Sequence, residues 1–174
     1  MSDINMITRN NLTTTIAPIE REMVMTRFFD ASPELVFKTY IDPSLIPRWW
    51  GPKRLTTYVV KMDVRQRGIW RFIQRDSDGN EYIFNGMYHE IIAPVRLVYT
   101  FEFEGMPGHV IVETVTFEEE QDGKTKLTSE SFFQTVEDRD IMLNLRVGGC
   151  TAESMDRLAE LLKYLKYIHK GRTP

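Results

Sequence analysis

The chain has 174 residues, of which 42% are hydrophobic, 11% aromatic and 27% charged; that is enough apolar material for one folded core and too little length for several domains. A formal net charge of -3 and a pI near 5.7 exclude the basic field of a general nucleic-acid or anionic-membrane binder. No apolar run reaches the roughly eighteen residues of a membrane span, the opening MSDINMITRNN lacks a signal-peptide core, and Cys150 is the only cysteine, so a cytoplasmic protein without internal disulfides is expected.

Residues 1–16 are polar and rich in Asn and Thr, and read as a flexible arm with an edge strand at TTTIA. Residues 17–170 read as one domain. Its first strand is IEREMVMTRFF, with Met23, Met25 and Arg27 on one face and Val24, Thr26 and Phe28 on the other. DASPELVFKTYID carries a helix start: Ser32 can cap, Pro33 suits the first helical position, and Glu34 favours the positive end. Leu35, Val36 and Tyr40 give this helix its apolar stripe, and Asp42-Pro43 ends it. PSLIPRWW then makes a second short helix or turn.

From Arg54 to Gln134 the apolar period becomes two. WRFIQRDSDGNEYIF is a hairpin turning at Asp78-Gly79, and a second hairpin turns at Asp122-Gly123. NGMYHEIIAPVRLVYTFEF gives two strands around Ala93-Pro94. Alternation assigns the inner faces. Trp70 and Phe72 oppose Arg71 and Ile73. Leu97, Tyr99, Phe101 and Phe103 share a face, as do Val115 with Phe117 and Leu127 with Phe133. The chain closes in a helical stretch where Met155, Leu158, Leu162, Leu165 and Ile168 recur at helical spacing. The expected architecture is therefore α+β: a curved antiparallel sheet of about six or seven strands wrapped around a long C-terminal helix, with two short helices after the first strand.

Five blocks in order carry a family resemblance: FDASPELVFKTYIDPSLIPRWWGP, MDVRQRGIWRF, GMYHEIIAPVRLVYTFEF, TVTFEEEQDGKTKLT and ESMDRLAELL. They span about Ile19 to Leu162. Together they resemble the bacterial family named after the C-terminal domain of the activator of heat-shock protein 90 ATPase, within the START-like (SRPBCC, birch-allergen-like) helix-grip superfamily. The resemblance implies a cavity between sheet and C-terminal helix, and the superfamily hosts ligand binding, polyketide cyclisation and co-chaperone work alike. It also implies that one tryptophan of the WWGP block packs under the sheet's end while the other borders the cavity mouth. Where relatives carry Gly-Met-Glu-Glu-Gly before the last block, this chain has Arg146, Val147, Gly148, Gly149 and Cys150. The acidic pair is lost. Two adjacent glycines, at about 1 kcal/mol each against alanine, mark either a kink in one long helix or the gap between two.

Trp49, Trp50, Trp70, Phe72, Tyr99 and Phe101 are the candidate apolar lining of that cavity. Parity adds Glu113, on the side of Val115, and Ser129 and Ser131, on the side of Leu127; Cys150 completes the candidates. A carboxylate in an apolar cavity can work as an acid or base, and Arg71 or Arg146 could partner Glu113, although alternation points Arg71 outward. His89, His109 and His169 are scattered without metal-ligand spacing. Cys150 has no evident base beside it, and Gly148-Gly149 lacks the Lys-Ser/Thr of a phosphate loop. No catalytic residue, metal or cofactor is expected. The first reading is a protein that binds a small hydrophobic or aromatic molecule. A stress-related co-chaperone module and an aromatase/cyclase-type enzyme are the alternatives, with a monomer or homodimer equally compatible.

Overall fold

Period-two sequence and turn chemistry build the sheet seen in a computed structural model, which describes residues 5–9, 12–16, 20–147 and 150–171. In chain order the strands are β1 (Asn5–Arg9), β2 (Leu12–Ile16), β3 (Glu22–Phe29), β4 (Thr56–Met62), β5 (Ile69–Arg75), β6 (Glu81–Ile92), β7 (Arg96–Phe103), β8 (Ile111–Glu120) and β9 (Lys124–Phe132). They form one antiparallel sheet in the order β1-β2-β3-β9-β8-β7-β6-β5-β4. Nine strands among the described residues exceed the six or seven expected. The excess comes from the β1–β2 hairpin, which extends the sheet beyond β3, and the sequence there is too polar to announce a second strand.

The β8–β9 turn follows its Asp-Gly chemistry, with both Asp122 (φ 64°) and Gly123 (φ 68°) in the left-handed region. Between β3 and β4 lie α1 (Pro33–Ile41) and α2 (Ile46–Trp49). The Ser32 hydroxyl accepts from the Leu35 N–H at 3.4 Å and Pro33 opens α1, as the cap sequence requires. The C-terminal stretch is two helices, α3 (Val136–Val147) and α4 (Cys150–Lys170). The Gly148-Gly149 pair between them, the Arg146 side chain and the His169 side chain lie outside the described residues.

The inner face of the sheet meets α1, α2 and α4. Met25, Phe29, Trp70, Phe72, Leu97, Val115, Phe117 and Leu127 pack with Val36, Phe37 and Trp49, and with Met155, Leu158, Leu161 and Leu162 of α4. Two helical assignments shift. Phe37 is buried on α1 where Leu35 is only half-buried, and Ile168 near the end of α4 is exposed. Arg27 does lie on the face of Met23 and Met25, 6% exposed, and pairs with Asp156 of α4 at 2.8 Å. Strand and helix are thus held by charge as well as apolar contact. This is the helix-grip arrangement, and it places α4 as one wall of whatever lies under the sheet.

Candidate functional site

A cavity of about 500 Å³ lies between the inner face of β5–β9 and the helices. Among the described residues, nine aromatic side chains lie on its wall. Tyr40 comes from α1, Trp49 from α2, Phe84 from β6, and Tyr99, Phe101 and Phe103 from β7. Trp50 is half-buried beside them, its ring 5.2 Å from those of Phe72 and Phe84 in edge-on contact. Trp49 is 1% exposed and stacks at 4.9 Å on Tyr40. Consecutive tryptophans diverge because Trp49 ends α2 while Trp50 is already extended (φ -73°, ψ 124°). Gly51 follows with φ +85°, a conformation that favours glycine.

Trp70 and Phe72 are not on this wall. They are buried around an adjoining void of about 40 Å³, which shares Tyr40, Trp49, Trp50, Tyr99 and Phe101 with the larger cavity. The ring stack Trp70–Phe72, 4.9 Å between centroids, fills the space that a ligand would need.

The polar candidates fall where strand register sends them. Glu113 on β8 stands opposite Ser131 of β9, two pairs from the Val115–Ser129 match and so on the same face. Its carboxylate, 3% exposed, accepts from Ser129 Oγ at 3.0 Å and from Ser131 Oγ at 2.8 Å. Glu113 and Ser129 line the cavity, whereas Ser131 stands behind Glu113. Arg71 is not its partner: it faces outward and binds Glu104 through two nitrogens at 2.7 and 3.0 Å. That pairing raises the Arg71 pKa and lowers that of Glu104. Cys150 is half-buried on the cavity wall in the first turn of α4, with the Arg54 guanidinium 3.9 Å from its sulfur. Burial pushes the Tyr99 phenol well above its ordinary range, with Tyr40, whose hydroxyl is 3.4 Å away, and Glu113 adding to it. Burial does the same for Tyr88.

The sequence left several wall residues unassigned. Strand parity with Glu113 and Ile111 points His109 inward; it is on the wall, but in the loop before β8, where its Nδ1 meets Asp138 Oδ1 of α3 at 2.7 Å. No local pattern reports a pair 29 residues apart. Asp76 is ionised readily, because the Asn80 side-chain amide donates to it, joined by the backbone N–H groups of Asn80 and Asp78 and by Tyr82. Gln74 was legible in principle: it continues the parity of Trp70 and Phe72 on β5 and is 4% exposed. His89 is exposed on β6. Among the described residues no three His, Cys, Asp or Glu side chains gather so as to hold a metal ion.

A family model described as Activator of Hsp90 ATPase homolog 1-like protein matches residues 30–163. No curated protein matches the sequence. Solved structures do. A Mycobacterium smegmatis protein is 20% identical with a TM-score of 0.77, the match covering 91% of this chain and 97% of that one. A Rhodobacter sphaeroides protein is 18% identical with a TM-score of 0.77, covering 93% and 99%. The AHSA1 protein of Silicibacter pomeroyi is 20% identical with a TM-score of 0.67, covering 82% and 98%. At these identities the likeness is one of fold.

Proposed function

The chain belongs to the Activator of Hsp90 ATPase homolog 1-like family, and on that premise we propose that it binds a small hydrophobic or aromatic molecule in the cavity between sheet and helix. The observation that supports this reading is the cavity itself. A well-packed interior leaves few voids larger than a water molecule, and here about 500 Å³ is left open beneath an aromatic wall. That size lies within the 300–1,000 Å³ typical of ligand sites, which are apolar with a few polar groups. Trp49, Trp50, Tyr99 and Phe101 are the proposed apolar contacts, and Glu113, Ser129 and Cys150 the proposed polar ones. A second reading, action on a chaperone, is supported by the family's description alone. Residues 17–170 are taken as the binding domain and the N-terminal segment as an accessory to it.

Thermal-shift and tryptophan-fluorescence titrations with fatty acids, flavonoids and aromatic polyketides test the proposal. A ligand at a hundred times its Kd adds about 2.7 kcal/mol of stability. The expected hit raises the melting temperature and quenches Trp50, so that Trp50→Phe loses the fluorescence response. No response across the library, together with stimulation of a chaperone ATPase by the purified chain, would replace this reading with the second.

A further inference from the structure

We infer that Gln74 is the polar anchor of the cavity and that the ligand presents a hydrogen-bond donor to it, which makes an aromatic hydroxyl compound the fitting class. The inference rests on the cavity being a binding site, as proposed above. Its ground is a proton count. The Thr57 hydroxyl donates to the Trp50 carbonyl at 2.8 Å, so its oxygen is left to accept. The Gln74 amide atom 3.2 Å from it is therefore the nitrogen, and the orientation of the amide is fixed. The amide oxygen then has no hydrogen-bond partner among the described residues. Buried polar groups in folded proteins nearly always have one.

Gln74 lines the cavity while being 4% exposed. The indole N–H groups of Trp49 and Trp70 also lack acceptors, but they are sealed in protein; the Gln74 oxygen is not among the sealed atoms. The loop above is shaped to admit this amide, since a Cβ on Gly51 would lie 1.7 Å from Gln74 Nε2. Gly51 is itself fixed by its N–H bond to Ser154 Oγ at 3.0 Å. Every carboxylate on the wall already accepts from the protein. Glu113 takes two serine hydroxyls, Asp138 takes His109, and Asp76 takes Asn80. Among the described residues the wall carries the carboxylates of Asp76, Glu113 and Asp138 and the exposed guanidinium of Arg54, a balance that disfavours an anionic ligand. A neutral hydroxyl on an aromatic body satisfies the free oxygen, the rings and the charge together.

The experiment is calorimetric titration with 2-naphthol, 2-methoxynaphthalene and 2-naphthoate, which share one ring system and differ in the group offered to Gln74. The expected result is 2-naphthol binding about tenfold tighter than 2-methoxynaphthalene, the worth of one net hydrogen bond, about 1.4 kcal/mol. Gln74→Leu should bring 2-naphthol down to the level of the ether, while the ether titrated into the same variant reports whether the cavity is still open. Gln74→Glu keeps an acceptor oxygen and should keep the preference even if the leucine variant fails to fold. Equal binding of naphthol and ether, tightest binding of naphthoate, or a preference that survives in Gln74→Leu overturns the anchor and leaves the cavity reading standing. No binding of any of the three removes both.

Discussion

Under α1 and α2, the aromatic side chains of the inner face close on one another. Trp70 lies 4.9 Å from Phe72 and Tyr40 4.9 Å from Trp49, with a void of only about 40 Å³ among these four rings, and Phe37 packs 5.3 Å from Phe117. Farther along the same strands, Phe84, Phe101 and Phe103 remain in mutual contact at 5.2–5.5 Å yet border about 500 Å³ of open space. Residue type is the same in both regions; what differs is what comes down from the other side. The closed region receives α1, α2 and the Met155–Leu162 face of α4. The open one is edged by Tyr40, Trp49 and the Cys150–Met155 turns of α4, and α3 comes over it with Ile141 exposed and Met142 half-buried. An aromatic wall becomes core where helix side chains pack down onto it and borders a cavity where the helices only edge it.

Paired truncations make this contrast measurable. Trp70→Ala, in the closed region, should cost about 3–5 kcal/mol in urea denaturation, the usual price of a large residue removed from a filled core. Phe84→Ala should cost clearly less, since one face of that ring already borders a void, while weakening any aromatic ligand more. Equal stability losses would show that the cavity collapses in solution.

The next effect in size concerns the polar floor. Glu113→Gln removes the charge from a carboxylate held by two serine hydroxyls, and hydrogen bonds to charged groups contribute about 1.5–3 kcal/mol. A destabilisation in that range, with far-UV circular dichroism unchanged, is expected. A stabilised variant would mean that burying the charge costs more than its bonds return.

The smallest effect is a pH dependence. Tyr88 and Tyr99 have folded-state pKa values raised above 10.0 by burial, so the unfolded chain loses these protons first. Their contribution is intact below about pH 10 and declines above it, by at most about 1.4 kcal/mol per pH unit for each tyrosine. Urea midpoints at pH 9, 10 and 11 should fall slightly in the first interval and most in the last. The Tyr88→Phe, Tyr99→Phe double variant should flatten the fall; an equally steep fall in it would assign the effect to other tyrosines.

Local chemistry carried most of the architecture into the sequence. The Ser32-Pro33-Glu34 start of α1, the Asp-Gly turn of β8–β9 and the alternation on β5, β7, β8 and β9 each depend on residues within a few positions of one another. Those were readable, and with them the inward side of Glu113, Ser129 and Ser131. Of the N-terminal hairpin, the strand at TTTIA was readable and is β2, while β1 was not, because the polar segment around it carries no apolar alternation.

The site divides along the same line. By itself the sequence determined which side chains face inward, since a strand's period of two is set by covalent geometry. Only the tertiary structure decided what they meet: Trp70 against Phe72 instead of a ligand, Arg71 against Glu104 instead of Glu113, His109 against Asp138 across 29 residues, and Gln74 against a single hydroxyl. Facing inward is a local property of the chain. Being filled, paired or left open depends on elements that arrive from elsewhere, and their fit is fixed by packing that no local pattern encodes.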